Sequence, residues 1–122
     1  MADENTSRQF VEACLRMDPG FPIVHLSDWR GGAFLSAKDP QLLMALREWE
    51  MILVGLDRAS MPMHAGKLTR EGLGHAGVVL FRRSVSSIEH GKQARLLLDL
   101  WRDAAEWEWA DRIEYLPRPA RG

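Results

Sequence analysis

Three aspartates define the chemistry open to this chain: Asp3 in Met1-Ala-Asp-Glu-Asn5, Asp39 in Ala37-Lys-Asp-Pro40, and Asp57 closing Met51-Ile-Leu-Val-Gly-Leu-Asp57. Each falls where an alternation of strands and helices would return the chain to the carboxyl end of a parallel sheet, the rim where ligands gather in such folds. Carboxylates brought together there repel unless protons or cations offset their charge, and a hard divalent ion is the usual partner. The chemistry suggested is metal-dependent attack on a phosphate ester. Glu4 adjoins Asp3 and is a candidate auxiliary ligand, although neighbouring side chains on a strand face opposite ways. Arg82 and Arg83 follow the apolar run Gly77-Val-Val-Leu-Phe81; with Arg58 they would offer guanidinium groups to phosphate on the same rim.

The elements that must position these groups follow from apolar spacing. A helix is predicted over 7–17 from Phe10, Val11, Cys14 and Leu15, with Asn5, Thr6 or Ser7 available as a cap. Asp18-Pro-Gly20 stops it, and Ile23-Val-His-Leu26 reads as a short strand. Residues 27–38 carry Gly31 and Gly32 without periodicity and read as a loop. Asp39-Pro40 starts a second helix, Asp39 as its cap, with Leu42, Leu43, Leu46 and Trp49 as the buried stripe. Met51–Leu56 has the unbroken apolar character of a central parallel strand.

A third helix is predicted from Pro62 to about Arg70, ended by Gly72 and Gly74, and a strand over Gly77–Phe81. The longest helix is predicted over 88–105 with Ile88, Ala94 or Arg95, Leu98 and Trp101 inward, then a last strand over Ile113–Leu116. The alternation argues for one doubly wound α/β sheet in a single domain.

Bulk properties bound the answer. The 122 residues suffice for one domain, and 46% hydrophobic with 27% charged residues is ordinary for a globular chain. With 16 basic and 17 acidic residues the formal charge is −1, so any nucleic-acid contact must come from a local basic patch. Cys14 is the single cysteine, which removes an intrachain disulfide and a multi-cysteine zinc site. No apolar run approaches the roughly 20 residues of a membrane span and the start is no signal peptide, so the expected location is cytoplasmic.

Several residues have simpler readings. Asp39 is fully explained as a helix cap, and Asp57 could be a solvated loop acid. His25, His64, His75 and His90 lack paired-ligand spacing and read as structural or exposed; Cys14 reads as core. Trp107 and Trp109 do not both fit one core easily. One exposed tryptophan there would mark a dimer or partner surface.

Taken in order, Ala2-Asp-Glu-Asn5, Asp39-Pro-Gln-Leu-Leu43, Ile52-Leu-Val-Gly-Leu-Asp-Arg58 with Ser60-Met-Pro62, and His75-Ala-Gly-Val-Val79 resemble the short PIN-like proteins. These are relatives of the PIN-domain ribonucleases that often serve as toxins in toxin–antitoxin pairs. Glu106-Trp107 and Arg112-Ile-Glu-Tyr-Leu-Pro117 resemble that family's last helix and strand. The resemblance implies a PIN-like three-layer α/β fold over 1–117, a mainly parallel sheet of four to five strands flanked by helices, and a tail over 118–122. It also implies a Mg²⁺- or Mn²⁺-dependent ribonuclease in which Asp3, Asp39 and Asp57 are catalytic and hold the metal with help from Glu4. Arg58, Arg82 and Arg83 would then meet RNA phosphates, and a cognate antitoxin or a second copy would be the protein partner. The alternative within the family is a catalytically degenerate protein- or nucleic-acid-binding module, suggested by Gly55 where the family often has Thr or Ser. Only Met1 and Ala2 precede the Asp-Glu-Asn run, so the first strand is either a stub or begins further upstream. A phosphoacceptor receiver is a third reading, but Pro62 lies five residues after Asp57 where receivers have four, and Arg118 stands near their lysine.

Overall fold

A computed structural model describes residues 1–119; 120–122, the end of the expected tail, lie outside the described residues. The chain forms a mixed α/β fold around a three-stranded parallel sheet. In chain order the elements are α1 (Arg8–Met17), a 3₁₀ segment (Leu26–Gly32), α2 (Asp39–Glu48), β1 (Leu53–Gly55), α3 (Ser60–Arg70), β2 (Val78–Phe81), α4 (His90–Ala104) and β3 (Ile113–Leu116). The sheet order is β1-β2-β3. None of the described helices is long and apolar enough to cross a membrane.

Alternation along β2 divides the interior into two cores. Val79 and Phe81 meet Phe10, Ala13 and Cys14 of α1 and Ala94, Leu97 and Leu100 of α4. Val78 and Leu80 face Leu42, Leu43 and Leu46 of α2 and Met61, Ala65 and Leu68 of α3. Helices therefore cover both faces, as a fully buried parallel sheet requires. The strands step one way across the sheet while α3 and α4 lie on opposite faces, so the two crossovers have opposite hands. One of them departs from the usual right-handed rule.

The N-terminal residues are threaded beside β1. Asp3 N–H donates to the Val54 carbonyl (2.9 Å) and Val54 N–H to that of Met1 (2.8 Å). On the other side Ala2 N–H reaches the Val24 carbonyl and Leu26 N–H the Ala2 carbonyl, each at 2.8 Å. These contacts make single bridges, Ala2 with Val54 and Ala2 with His25, both parallel in sense. The expected strand over 23–26 is thus one bridge long. His25 ends it by accepting the Ser27 N–H on its ring and turning the chain into the 3₁₀ segment.

Other expectations shift for local reasons. Helix α3 starts at Ser60, because Pro62 sits in the first turn, where its missing N–H costs nothing. Lys38 is the cap residue of α2, without a side-chain cap bond, so Asp39 is the first helical residue and keeps its carboxylate free of that duty. Trp49 leaves the predicted stripe: it is 56% exposed, with the Arg30 guanidinium 4.1 Å from its ring centroid. In α4 the inward residues are Gln93, Ala94, Leu97, Leu100 and Ala104, while Ile88 precedes the helix and is 78% exposed. Ala94 is inward as expected and Trp101 is partly buried against the core, but Leu96, Leu97, Leu98 and Leu100 offer more than one apolar face, and Leu97 and Leu100 rather than Leu98 are the buried ones. In α1 the buried set is Phe10, Ala13 and Cys14, and Leu15 turns outward.

The tryptophans pack together. Trp109 is buried, donates from Nε1 to the Ala104 carbonyl (2.8 Å) and stacks on Trp107 at 6.1 Å. Trp107 is half-buried beneath the guanidinium groups of Arg112 and Arg118, 4.9 and 5.9 Å from its centroid.

Candidate functional site

Asp3 lies at the carboxyl end of the sheet as a buried acid, 5% exposed. The backbone leaves it little freedom. Its carbonyl accepts the Thr6 N–H (3.0 Å) and hydroxyl (2.6 Å), the turn that leads into the Ser7 cap of α1. One carboxyl oxygen, Oδ1, accepts the Glu4 N–H at 2.9 Å. Gly55 stands opposite: a Cβ there would lie 3.5 Å from the Asp3 Cβ and 3.6 Å from its Oδ2, ordinary contact distances. Glycine therefore leaves an open space beside the acid that a small side chain would fill.

Burial pushes the Asp3 carboxyl above its usual range. The Glu4 N–H opposes this, while the charges of Asp39, Glu4 and Asp57 add to it. The fold thus places the three predicted aspartates within electrostatic reach of one another. Glu4 itself is exposed and contributes mainly its charge and its backbone N–H.

Asp57, two residues beyond β1, is half-buried. Its Oδ1 accepts the Ala59 and Ser60 N–H groups at 3.0 and 2.9 Å, and its Oδ2 accepts the Ser60 hydroxyl in a short contact. Burial pushes this carboxyl up, but the Ser60 hydroxyl and the N–H groups of Ser60, Ala59 and Met61 outweigh it and hold the group below its ordinary value. Asp57 therefore also serves the N-terminus of α3, where a negative charge suits the orphan N–H groups. The same Ser60 Oγ lies 3.5 Å from Asp39 Oδ2. One hydroxyl has one proton, so it satisfies only one of the two carboxylates that converge on it. Ser60 was missed as a site residue. Its signal was an aspartate three positions before a serine at a helix start.

Among the described residues, no three His, Cys, Asp or Glu side chains are arranged to hold a metal ion between them. Both Asp57 oxygens accept hydrogen bonds from the start of α3, and Asp3 Oδ1 accepts one from the Glu4 N–H; each oxygen keeps a second lone pair.

The arginines divide into different roles. Leu56, Asp57, Arg58, Ala59, Arg82, Arg83 and Tyr115 line a cleft of about 570 Å³ at the same end of the sheet. Arg58 donates from Nη1 to the Phe81 carbonyl (3.0 Å), and Arg82 from Nε to the Pro117 carbonyl (2.8 Å). Arg82 also lies over the Tyr115 ring, 5.3 Å from its centroid, whereas Arg83 is exposed.

Two histidines, His25 and His75, take structural positions. His25 Nε2 meets the Thr6 carbonyl at 2.8 Å. His75 is buried at the other end of β2. Its Nδ1 accepts the Gly77 N–H at 3.1 Å, so Nε2 carries the proton, and among the described residues that N–H has no partner. Burial pushes its pKa down, against the pull of Asp111. A histidine lowered on folding binds fewer protons than the unfolded chain just below its ordinary value of 6.5. Stability should therefore fall as pH drops through that window. In His75→Asn, where the amide oxygen replaces Nδ1 as acceptor, urea midpoints should lose part of the difference between about pH 5 and pH 7.5.

No family model, curated protein or solved structure matches the chain.

Proposed function

We propose that the chain is a divalent-metal-dependent ribonuclease of PIN-like type, the toxin of a toxin–antitoxin pair, acting at the end of the sheet. The observation that carries this reading is the convergence of Asp3, Asp39 and Asp57. Asp3 is held buried while both other acids raise its pKa, and Ser60 joins Asp57 to Asp39. Such an arrangement costs stability until a cation enters. The donor set is hard oxygen, and Mg²⁺ commonly uses one or two protein carboxylates and completes its shell with water and phosphate. Two carboxylates can therefore suffice, and in this reading Asp3 and Asp57 are the holders, with Asp39 as their neighbour. In this reading the bridges of Ala2 to His25 and to Val54 are the remnants of two further strands of a PIN-like sheet.

When bound, the ion neutralises charge on the phosphodiester and polarises it. The chain's own contribution is to orient: Arg58, fixed to the Phe81 carbonyl, and exposed Arg83 draw the phosphate towards the acids. Incubation of purified protein with RNA and Mg²⁺ or Mn²⁺ tests the reading; cleavage that EDTA stops supports it, and intact RNA in both ions contradicts it.

Two observations favour a degenerate binding module as the second reading: the absence, among the described residues, of a ready three-acid cluster, and the glycine facing Asp3. Tight association with a partner chain, without Mn²⁺ binding or RNA cleavage, would select it.

A further inference from the structure

The pairing of Arg82 with Tyr115 sets that arginine apart from its neighbours. Its Nε is tied to the Pro117 carbonyl, and its guanidinium lies over the Tyr115 ring inside the cleft that also holds Asp57. A guanidinium held this way is a flat, rigid surface rather than a swinging charge, and such planes stack on nucleobases. Arg58 and Arg83, by contrast, lack an aromatic backing in the described contacts and suit phosphate. We propose that Arg82 and Tyr115 form a nucleobase platform beside the acids, so that the chain selects a single-stranded nucleic acid with one base turned out onto the stack. A base inside a duplex shows only its edges, and its face becomes available only on unstacking. The cleft, about 570 Å³, has the scale of a small-molecule pocket, enough for a nucleotide unit and far too small for a paired helix. Tyr115 acts by fixing Arg82 and is a positioning residue. The inference rests on the nuclease reading for its substrate class, but it is tested by binding alone.

The test is binding in EDTA of a short single-stranded RNA, of the same ribose-phosphate strand lacking bases, and of the corresponding duplex. Wild type should bind the base-bearing single strand about tenfold tighter than the base-free strand, and the duplex no better than the base-free strand. Tyr115→Phe keeps the ring and should keep that ratio, whereas Tyr115→Leu and Arg82→Gln should bring it towards one. Each variant is read only with a wild-type melting transition, and a folded Tyr115→Leu or Arg82→Gln that keeps the wild-type ratio would overturn the proposal. Equal binding of the two single strands by wild type would overturn it as well. If those strands are bound equally and RNA is still cleaved with Mn²⁺, the platform fails and the nuclease stands. If nothing is bound and nothing is cleaved, both fail.

Discussion

Asp57→Asn should lower metal-dependent RNA cleavage by at least about a hundredfold, a loss typical of removing a charged group from a reaction centre. The variant is chosen because asparagine keeps most of what Asp57 does for the fold. Its amide oxygen can still accept the Ala59 and Ser60 N–H groups, and its amide nitrogen can donate to the Ser60 hydroxyl in place of accepting from it. The charge and one acceptor oxygen are lost, while the bonds to the start of α3 are kept. A melt near that of the wild type, together with abolished cleavage, would separate the chemical role from support of α3. Undiminished cleavage would remove Asp57 from the mechanism, leaving it as a helix-start residue whose depressed pKa reflects Ser60 and the backbone alone.

Phe10→Ala should have the largest effect on stability, about 3–5 kcal/mol, against a total of about 5–15 kcal/mol for a domain of this kind. Phe10 is fully buried, and its ring meets Phe81 edge-on with centroids 5.6 Å apart, joining α1 to the end of β2. Removing it leaves a cavity between helix and sheet at the level where Thr6 and Ser7 lead from Asp3 into α1. The urea midpoint should fall with little change in slope, and metal response should weaken through looser placement of Asp3. A midpoint within measurement error of wild type would mean that α1 is not docked as described.

Sequence patterning made the helices and the sheet legible because their signals are local. Apolar runs at 53–55 and 78–81 are buried on both faces, and the capping residue of α1 was among those expected. The register of α4 was not legible, because Leu96, Leu97, Leu98, Leu100 and Trp101 offer several apolar faces and only packing against Phe81 and Phe10 chooses one. The short bridge at His25 was hidden for a similar reason: Ile23-Val-His-Leu26 has strand composition, but the His25 ring accepts the Ser27 N–H and closes a turn.

At the site, the proximity of the three aspartates was legible from their positions after strands and before helices. The distribution of their hydrogen bonds was not. That Asp39 leaves capping to the backbone around Lys38, that Ser60 stands between two acids, and that Arg82 lies on Tyr115 depend on side chains distant in sequence.

The central claim is that the fold gathers acids at a cost which a cation relieves, and Asp3 reports on it most directly. Its pKa is raised on folding, so the folded chain binds more protons than the unfolded one just above the ordinary value of 3.8, and its stability contribution declines as pH rises through that window. At neutral pH the unprotonated group is a standing penalty, which Asp3→Asn removes. The decisive measurement is thermal melting of wild type and Asp3→Asn at neutral pH, in EDTA and in millimolar Mn²⁺. The account predicts a higher Tm for Asp3→Asn in EDTA, a rise for wild type in Mn²⁺ that grows with ion concentration, and little response from the variant. Equal melting of the two proteins in EDTA, with the same small response to Mn²⁺, would contradict it.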